Sequence, residues 1–390
     1  MTGKLTEDPR WERFRSQMSV VRRWAYFDHA AVSPLPIPTA DTVVAWARDQ
    51  SENGVASWLK CKARYESLRS MAAELVGGTP EEIALVRSTT EGINIVAEGF
   101  SWQPGDNVVT LADEFPANLY PWMNQAYRGV ETRRVPTDDG RVDLNWLADA
   151  CDERTRIVTV SWVGYASGWR NDLPAIAEIA HRRGALFFVD AIQALGTFPV
   201  DVRAMGIDFL AAGGQKWMLG PEAAGLLYIG REHLDRLRVC CIGHGSMVHA
   251  SDYTRIEIHL KDTAARFEGA AANMVGFLGL AASVELLLEL GAEAIGERIL
   301  AVTDLACRRL TEIGAVVASH RDNPRHNSGI MRFDLPGRDL QQVRRQLLER
   351  GVVLSVRGGG LRISPHAYCN EADIERLVEE IRGEGRGARG

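Results

Sequence analysis

One lysine of this 390-residue chain lies in an unusually apolar neighbourhood. Lys216 occurs in DFLAAGGQKWMLGP (residues 208–221), after a predicted strand and beside a tryptophan. The only nearby carboxylate is Glu222, so desolvation without a counter-charge favours the neutral amine. A neutral lysine amine is a nucleophile that forms a Schiff base with a carbonyl. The alternative interpretation is a lysine that reaches solvent from the end of a strand.

A second motif offers a buried carboxylate. Asp190 ends an apolar run in FFVDAIQALG (187–196), and Gln193 follows three residues later. An acid in that position needs a cationic partner, which a protonated pyridine nitrogen would supply, and Gln193 would then donate to a ring oxygen. The same spacing is also typical of a helix capping box.

Two more motifs favour the binding of anions. Ser88, Thr89 and Thr90 precede a helical pattern, and the start of a helix binds phosphate through hydroxyl and backbone N–H groups. They are equally compatible with an ordinary N-cap. Arg362 lies in the predicted strand LRISPH (361–366), where it binds either a substrate carboxylate or an acidic side chain.

One ligand satisfies all four motifs. A pyridine aldehyde that carries a phosphate, with an amino-acid carboxylate beside it, needs an amine, an acid, an anion cradle and an arginine. The sequence therefore predicts pyridoxal 5′-phosphate as cofactor and an amino acid as substrate.

The elements that must position these groups alternate between strand and helix. Such alternation predicts an α/β fold with a mostly parallel sheet covered by helices, and ligands bind beyond the carboxyl ends of its strands. The later pattern predicts a smaller α+β domain. We predict a large cofactor-binding domain over residues 21–265 and a small domain over 266–390 together with 1–20. The segments read from the sequence are strands at 107–111, 156–162, 185–190, 209–213, 328–335, 351–356 and 361–364, and helices at 173–184, 272–313, 338–350 and 371–383.

Composition excludes several other classes. The net charge of −6 argues against nucleic acid as a partner, and the six cysteines show no metal-ligand spacing. The apolar segment 274–296 carries Glu285, Glu289 and Glu293 at a four-residue spacing, which predicts an amphipathic helix rather than a membrane span. We expect a cytoplasmic protein without a metal.

The chain resembles the class V aminotransferases, a family of fold-type I pyridoxal phosphate enzymes that share the aspartate-aminotransferase-like fold. That family includes cysteine desulfurases and isopenicillin-N-epimerase-like proteins. The resemblance extends from about residue 24 to residue 383. The blocks that carry it are YFDHAAVSPLP (26–36), RSTTEGIN (87–94), DEFPANLYPW (113–122), VDAIQALG (189–196), GGQKWMLGPEAAGLLYI (213–229), RFEGAAAN (266–273) and LRISPHAYCNEADIERL (361–377).

The resemblance implies a role for each position. Lys216 is the Schiff-base lysine and moves protons at Cα, and Asp190 pairs with the pyridinium nitrogen. Gln193 contacts the phenolic oxygen, and Phe115 stacks on the ring. A homodimer with the cofactor near its interface is also implied. The remaining implied residues are Ser88, Thr89, Thr90, Gln215 and Tyr165 at the cofactor, and Arg362, His29 and Ala30 at the substrate.

Three departures from the family pattern concern the phosphate. Gly213 replaces a residue that is often polar, Gln215 replaces a histidine or tyrosine, and Ala271 replaces a threonine that reaches the phosphate across the dimer. Each charge-assisted hydrogen bond is worth roughly 1.5–3 kcal/mol. We therefore predict weak cofactor retention unless Arg87 or Trp217 compensates.

The segment SVRGGG (355–360) before Arg362 lacks the mobile cysteine of the desulfurases. This predicts an enzyme that is not a persulfide-forming cysteine desulfurase. The epimerase-like resemblance favours a lyase, which would eliminate a thiol from the Cβ of a cysteine conjugate held by the cofactor as a Schiff base, in specialised metabolism such as antibiotic biosynthesis. The alternatives are a transaminase, a decarboxylating, oxidatively deaminating or epimerising enzyme, and a non-catalytic homologue that only binds.

Overall fold

The computed structural model describes residue 5 and residues 8–383. The other positions of the predicted small domain (1–4, 6, 7 and 384–390) lie outside the described residues. The α-helices are α1 Pro9–Ser16, α2 Ile37–Asn53, α3 Trp58–Val76, α4 Thr89–Gly99, α5 Tyr120–Met123, α6 Leu144–Ala150, α7 Leu173–Arg182, α8 Met274–Leu290, α9 Ala292–Glu312, α10 Leu340–Glu349 and α11 Glu371–Arg382.

The strands are shorter and alternate with these helices. The first ten are β1 Ala25–Tyr26, β2 Ile83–Val86, β3 Asn107–Leu111, β4 Glu131–Val135, β5 Thr137–Asp138, β6 Arg141–Val142, β7 Thr155–Ser161, β8 Leu186–Asp190, β9 Phe209–Gly213 and β10 Gly225–Ile229. The last five are β11 Val316–Val317, β12 Met331–Asp334, β13 Val352–Val353, β14 Ser355–Arg357 and β15 Gly360–Ile363.

A seven-stranded sheet in the order β2-β10-β9-β8-β7-β3-β4 forms the centre of the molecule. Its strands are parallel except β10, which runs antiparallel to both β2 and β9. Successive side chains point to opposite faces of a strand, so Phe187 and Val189 join one apolar core and Phe188 joins another. Burial on both faces explains the nearly continuous apolar strands, and it confirms the predicted α/β class with a mostly parallel sheet.

A four-stranded antiparallel sheet, β11-β12-β15-β14, forms the second layer with α9, α10 and α11. The N-terminal segment packs here too, because β1 pairs with β13 and Arg15 forms an ion pair with Asp373 at 2.6 Å. One apolar core runs through both parts. The boundary predicted at residues 265 and 266 therefore stays a prediction.

Two predicted elements differ from the structure. The single helix expected over 272–313 is two helices, because Gly291 adopts a positive φ of 82° and bends the chain by 83° between α8 and α9. Glu293 therefore lies on α9, apart from the face that carries Glu285 and Glu289. The single strand expected over 351–356 is also divided into two strands, because β13 pairs with β1 and β14 pairs with β15.

Helix α8 is mostly buried inside the protein. Among residues 8–383, no single helix has both the length and the apolar content needed to cross a membrane. Helices α8 and α9 satisfy that criterion only when taken together as a bent pair, by length and composition alone.

The carboxyl ends of β7, β8 and β9 lie side by side at one edge of the large sheet. Ser161 opposes Asp190 in the register of β7 and β8, and Asp190 opposes Ala211 in that of β8 and β9. The amino end of α4 approaches the same edge, where Thr89 accepts a hydrogen bond from the Gly213 N–H at 2.9 Å. The fold thus brings motifs more than 100 residues apart to one place.

Candidate active site

A cavity of about 300 Å³ lies beyond this edge of the sheet. It gathers residues from seven separate regions of the sequence, and all but one of the predicted site residues line it. Those that do are Ala30, Ser88, Thr89, Thr90, Phe115, Tyr165, Asp190, Gln193, Gln215, Lys216 and Arg362.

Lys216 lies in the turn that follows β9. The Ser33 N–H donates to the Gln215 carbonyl at 2.8 Å, which anchors this turn to the N-terminal segment. The Lys216 Nζ lies 5.5 Å from the centre of the Phe115 ring. Burial lowers the pKa of Lys216 from 10.5 to about 8, against the opposing effect of the Asp190 charge. With this pKa about a tenth of the amine is neutral and nucleophilic at pH 7, far more than in an ordinary lysine.

This pKa predicts how the protein without cofactor captures pyridoxal phosphate. The capture rate should rise with pH and reach half its maximum near pH 8, because only the neutral amine attacks the aldehyde. Stopped-flow absorbance over a pH series measures this rate. A midpoint near 10.5, the ordinary value for lysine, would contradict the prediction.

Asp190 is 2% exposed and ends β8. Burial raises the pKa of its carboxyl to about 6, while a hydrogen bond from the Ile192 N–H and the charge of Lys216 lower it. A turn rather than a helix follows Asp190, so the capping-box interpretation is wrong. A protonated pyridine nitrogen would supply the cation that this desolvated carboxylate requires, and in that respect the residues fit the cofactor.

Gln193 is held at both ends of its amide. Its Oε1 accepts from the Trp217 indole N–H at 2.9 Å, and its Nε2 donates to the Ala30 carbonyl at 3.1 Å. A primary amide carries a second N–H, which is available to a ring oxygen in the cavity. The neighbouring tryptophan therefore orients the predicted ring contact.

The phosphate end is built around the start of α4. Ser88 is the N-cap, and its Oγ accepts from the Glu91 N–H at 3.1 Å. The ordinary N-cap interpretation is thus correct for Ser88, and it coexists with a place in the cavity wall. The first N–H groups of a helix lack intrahelical acceptors, so this end retains donors for a phosphate.

Two of the sequence departures at the phosphate depend on each other. A Cβ placed at Gly213 would collide with the Gln215 Oε1, so glycine at 213 makes room for the Gln215 side chain. The Gln215 Oε1 is buried and has no hydrogen-bond partner. Glutamine in this position therefore occupies the space that a polar side chain at 213 would fill.

Ala271 lines a cavity of this chain that does not include Lys216. The family resemblance implies that the residue at this position reaches the phosphate of the other subunit across the dimer. We expect Ala271→Thr to lower the dissociation constant of pyridoxal phosphate by about tenfold or more, because one added charge-assisted hydrogen bond is worth ~1.5–3 kcal/mol. Equilibrium dialysis measures this, with Ala270→Thr as the neighbouring control. Equal affinities in both variants and the parent would count against a phosphate contact from position 271.

Arg362 is 1% exposed, lies on β15 of the small sheet and lines the cavity. Its Nη2 pairs with the Asp28 Oδ1 at 2.9 Å, and its Nη1 donates to the Tyr165 carbonyl at 2.6 Å. Its Nε is buried without a partner. The salt-bridge interpretation is therefore correct, and the same guanidinium retains an unsatisfied donor. Binding of the substrate carboxylate by Arg362 stays a prediction.

His29 lies behind the cavity wall rather than in it. The side chain is fully buried, and its two ring nitrogens are 2.8 Å from the Ser364 carbonyl and the Tyr368 hydroxyl. Its neighbour Ala30 lines the cavity instead. Pairing of the segment with Ser364 decides this placement, and the DHAA motif does not reveal it.

Sequence reasoning missed three charged residues. Asp28 partners Arg362, and Arg357 on β14 lines the cavity beside it. Glu114 is buried, and burial raises the pKa of its carboxyl to about 8, although hydrogen bonds from Ser161 lower it. Asp28 and Glu114 each lie within one residue of a predicted site position, which is the only signal the sequence carries for them.

Comparison with known proteins places the chain among class V enzymes. The family described as aminotransferase class-V matches residues 25–377. A probable cysteine desulfurase of Methanothermobacter thermautotrophicus is 31% identical over 96% of this chain and 99% of its own length. A cysteine desulfurase of Klebsiella pneumoniae is 32% identical over 83% of this chain and 82% of its own. The Escherichia coli cysteine desulfurase CsdA superposes with a TM-score of 0.84 at 25% identity, covering 96% of this chain and 98% of that one.

These relatives overturn one prediction. The absence of cysteine from residues 355–360 predicts that the enzyme is not a cysteine desulfurase, and this prediction is wrong, because relatives named cysteine desulfurases match most of the chain. The segment forms the tight β14–β15 hairpin, with positive φ at Gly358 and Gly359. One loop without cysteine does not exclude the reaction, because the sulfur needs a thiol acceptor and not one particular loop.

Lys216 and Asp190 line the same cavity, and the lowered pKa of the amine and the burial of the acid both fit pyridoxal phosphate. The family match covers the whole of this constellation. The non-catalytic alternative is set aside, since the chain matches a family of pyridoxal phosphate-dependent enzymes and Lys216 lines the cavity. The chain belongs to the class V aminotransferase family of pyridoxal phosphate-dependent enzymes.

Proposed function

We propose that this enzyme is a lyase that removes the sulfur of L-cysteine, leaving alanine and passing the sulfur to a thiol as a persulfide. The observation that carries the proposal is the convergence of Lys216, Asp190 and Arg362 on one cavity of about 300 Å³. Because this cavity must also hold the cofactor, it leaves room only for a small amino acid. Relatives named cysteine desulfurases support cysteine as that amino acid.

Each of the three residues has a distinct task in this proposal. Arg362 holds the substrate carboxylate with the donor that its protein partners leave free. Pyridoxal phosphate, when bound, joins the substrate amine and withdraws electrons from Cα and Cβ. Lys216 takes the proton from Cα and returns protons to the carbon skeleton. Asp190 keeps a negative charge opposite the ring nitrogen.

A product assay tests this function directly. The protein loaded with pyridoxal phosphate is mixed with L-cysteine and dithiothreitol, and mass spectrometry quantifies alanine, sulfide, pyruvate and cofactor form together. We expect alanine and sulfide in equal amounts, with L-serine as the control substrate without sulfur. Pyruvate with ammonia would indicate β-elimination, and pyridoxamine phosphate with a keto acid would indicate transamination. Carbon dioxide would indicate decarboxylation, and each of these results would replace the proposal.

From the family resemblance we also infer a homodimer with the cofactor near its interface. We infer a cytoplasmic location on the same ground. Antibiotic biosynthesis stays a prediction of the same kind. Light scattering of the loaded protein tests the first, and we expect a mass of twice 43.0 kDa.

A further inference from the structure

A second cavity of about 190 Å³ adjoins the cofactor cavity. Phe115 and Tyr165 line both, and their rings meet edge to face with centroids 5.2 Å apart. This aromatic pair therefore separates the place where the substrate reacts from a polar space next to it. None of the tasks assigned to Lys216, Asp190 or Arg362 uses that space.

The second cavity contains acceptors that nothing in the described residues satisfies. Asn171 is only 6% exposed. Its Nδ2 donates to the Ser161 carbonyl at 2.9 Å, and its Oδ1 has no hydrogen-bond partner. Asp139 pairs with Arg332 through Oδ1 at 2.9 Å, while its Oδ2 is buried without a partner. Buried acceptors without donors are rare in folded proteins, and here two of them belong to residues that line one cavity with room for a small molecule.

The chemistry of these walls selects the ligand. Two unpartnered acceptors, one of them on a carboxylate, favour a group with several N–H donors and a positive charge, which is an ammonium. Arg332, which pairs with Asp139, lines the same cavity. Its positive charge would attract a carboxylate on the ligand. A small molecule with both groups, an α-amino acid, complements the cavity.

The proposed desulfuration leaves one participant unassigned. The sulfur must pass to a thiol, and no cysteine lies among the described residues that line either cavity. The two exposed cysteines of residues 8–383, Cys240 and Cys241, line neither of these cavities, and Cys241 lines a third cavity together with Ala271. A thiol held in the second cavity would lie against Phe115 and Tyr165, the two rings that also line the cofactor cavity.

We propose that the second cavity is the binding site of the sulfur acceptor, a small amino thiol such as a second molecule of cysteine, held by its ammonium at Asp139 and Asn171. This inference rests on the proposed function.

The Cβ–S bond of the donor breaks and an S–S bond to the acceptor sulfur forms. Cysteine plus RSH gives alanine plus RSSH: the donor carbon is reduced, the two sulfurs are oxidised, and one thiol proton ends on Cβ. No outside oxidant is required.

A panel of thiols tests the charge preference. Cysteamine carries only the ammonium, 3-mercaptopropionate carries only the carboxylate, and 2-mercaptoethanol is neutral. With L-cysteine as donor and equal thiolate concentrations, we expect half-saturation by cysteamine at a concentration about tenfold below that of 3-mercaptopropionate. Mass spectrometry identifies each persulfide. Equal half-saturation by all three thiols would overturn the inference.

Two variants with matched controls locate the site. Asp139 adopts a positive φ of 49°, which asparagine tolerates, so Asp139→Asn keeps the backbone. We expect it to raise the half-saturating concentration of cysteamine about tenfold and to leave that of the L-cysteine donor, measured at saturating cysteamine, unchanged. Asp138→Asn in the same hairpin is the control, since Asp138 does not line the cavity. Asn171→Ala should act like Asp139→Asn, and Asn327→Ala removes another buried, unpartnered Oδ1 outside the cavity.

The outcomes separate the two proposals. If no thiol supports alanine formation from L-cysteine, the proposed desulfuration itself fails. If alanine forms but Asp139→Asn behaves like Asp138→Asn, only the acceptor site fails. Loss of alanine formation in the double variant Cys240→Ser, Cys241→Ser would make those thiols the acceptors and overturn the site in the second cavity.

Discussion

Replacing Lys216 with alanine should abolish turnover and the visible absorbance that a lysine-bound pyridoxal phosphate gives. The variant loses both the amine that joins the aldehyde and the group that moves protons at Cα. Removal of a positioned proton-transfer group alone costs about 10²–10⁴-fold in rate, so we expect a fall of at least about 10⁴-fold. Alanine formation from L-cysteine and an absorbance spectrum measure the two effects.

Lys261→Ala is the matched control for this prediction. Lys261 is also partly buried, and burial lowers the pKa of its amine, but it lies outside the cofactor cavity. We expect the control to keep both the absorbance and the rate. Parent-like activity in Lys216→Ala would disprove the assignment of the catalytic lysine.

Replacing Asp190 with asparagine should leave the cofactor bound but slow the loss of the Cα proton. Asparagine has nearly the same shape and removes the charge that keeps the ring nitrogen protonated. Breaking a buried charge pair costs about 3–5 kcal/mol, which predicts a rate lower by about 10²-fold or more. Exchange of the Cα hydrogen of L-alanine for deuterium, followed by NMR, reports this step without the sulfur chemistry.

Asp106→Asn supplies the comparison at the opposite edge of the sheet. Asp106 is also fully buried, precedes β3 and pairs with Arg156 at 3.0 Å. We expect its replacement to affect stability but not the exchange rate per molecule of bound cofactor. Equal exchange rates in Asp190→Asn and the parent would mean that the carboxylate only serves the turn through the Ile192 N–H.

The local sequence pattern was sufficient to predict the strands that are buried on both faces of the large sheet. The runs at 107–111 and 209–213 are β3 and β9 with the predicted bounds, because a strand covered on both faces is apolar throughout. The site residues Lys216 and Asp190 followed from the same logic, since each is a charged group adjoining such a run. Their shared cavity follows from parallel strands that end at one edge of a sheet.

Other features depended on contacts between distant segments. The salt bridge of Arg362 needs Asp28 at a separation of 334 residues, and His29 is turned away by its bond to Ser364 at a separation of 335. Neither partner is encoded in the local spacing of the motif. The exclusion of cysteine desulfuration failed for a related reason, because it judged the reaction from one loop.

The sequence by itself determined the class of the fold and the cofactor, and it singled out Lys216, Asp190 and Arg362 as candidates, because each of these charged groups is costly in its apolar surroundings. Only the tertiary structure decided which groups face the substrate and which lie behind it. It also revealed the second cavity, since Asp139 and Asn171, each with an unpartnered oxygen, line one space only in the folded chain. Unsatisfied polar atoms are a property of packing, and no sequence pattern records them.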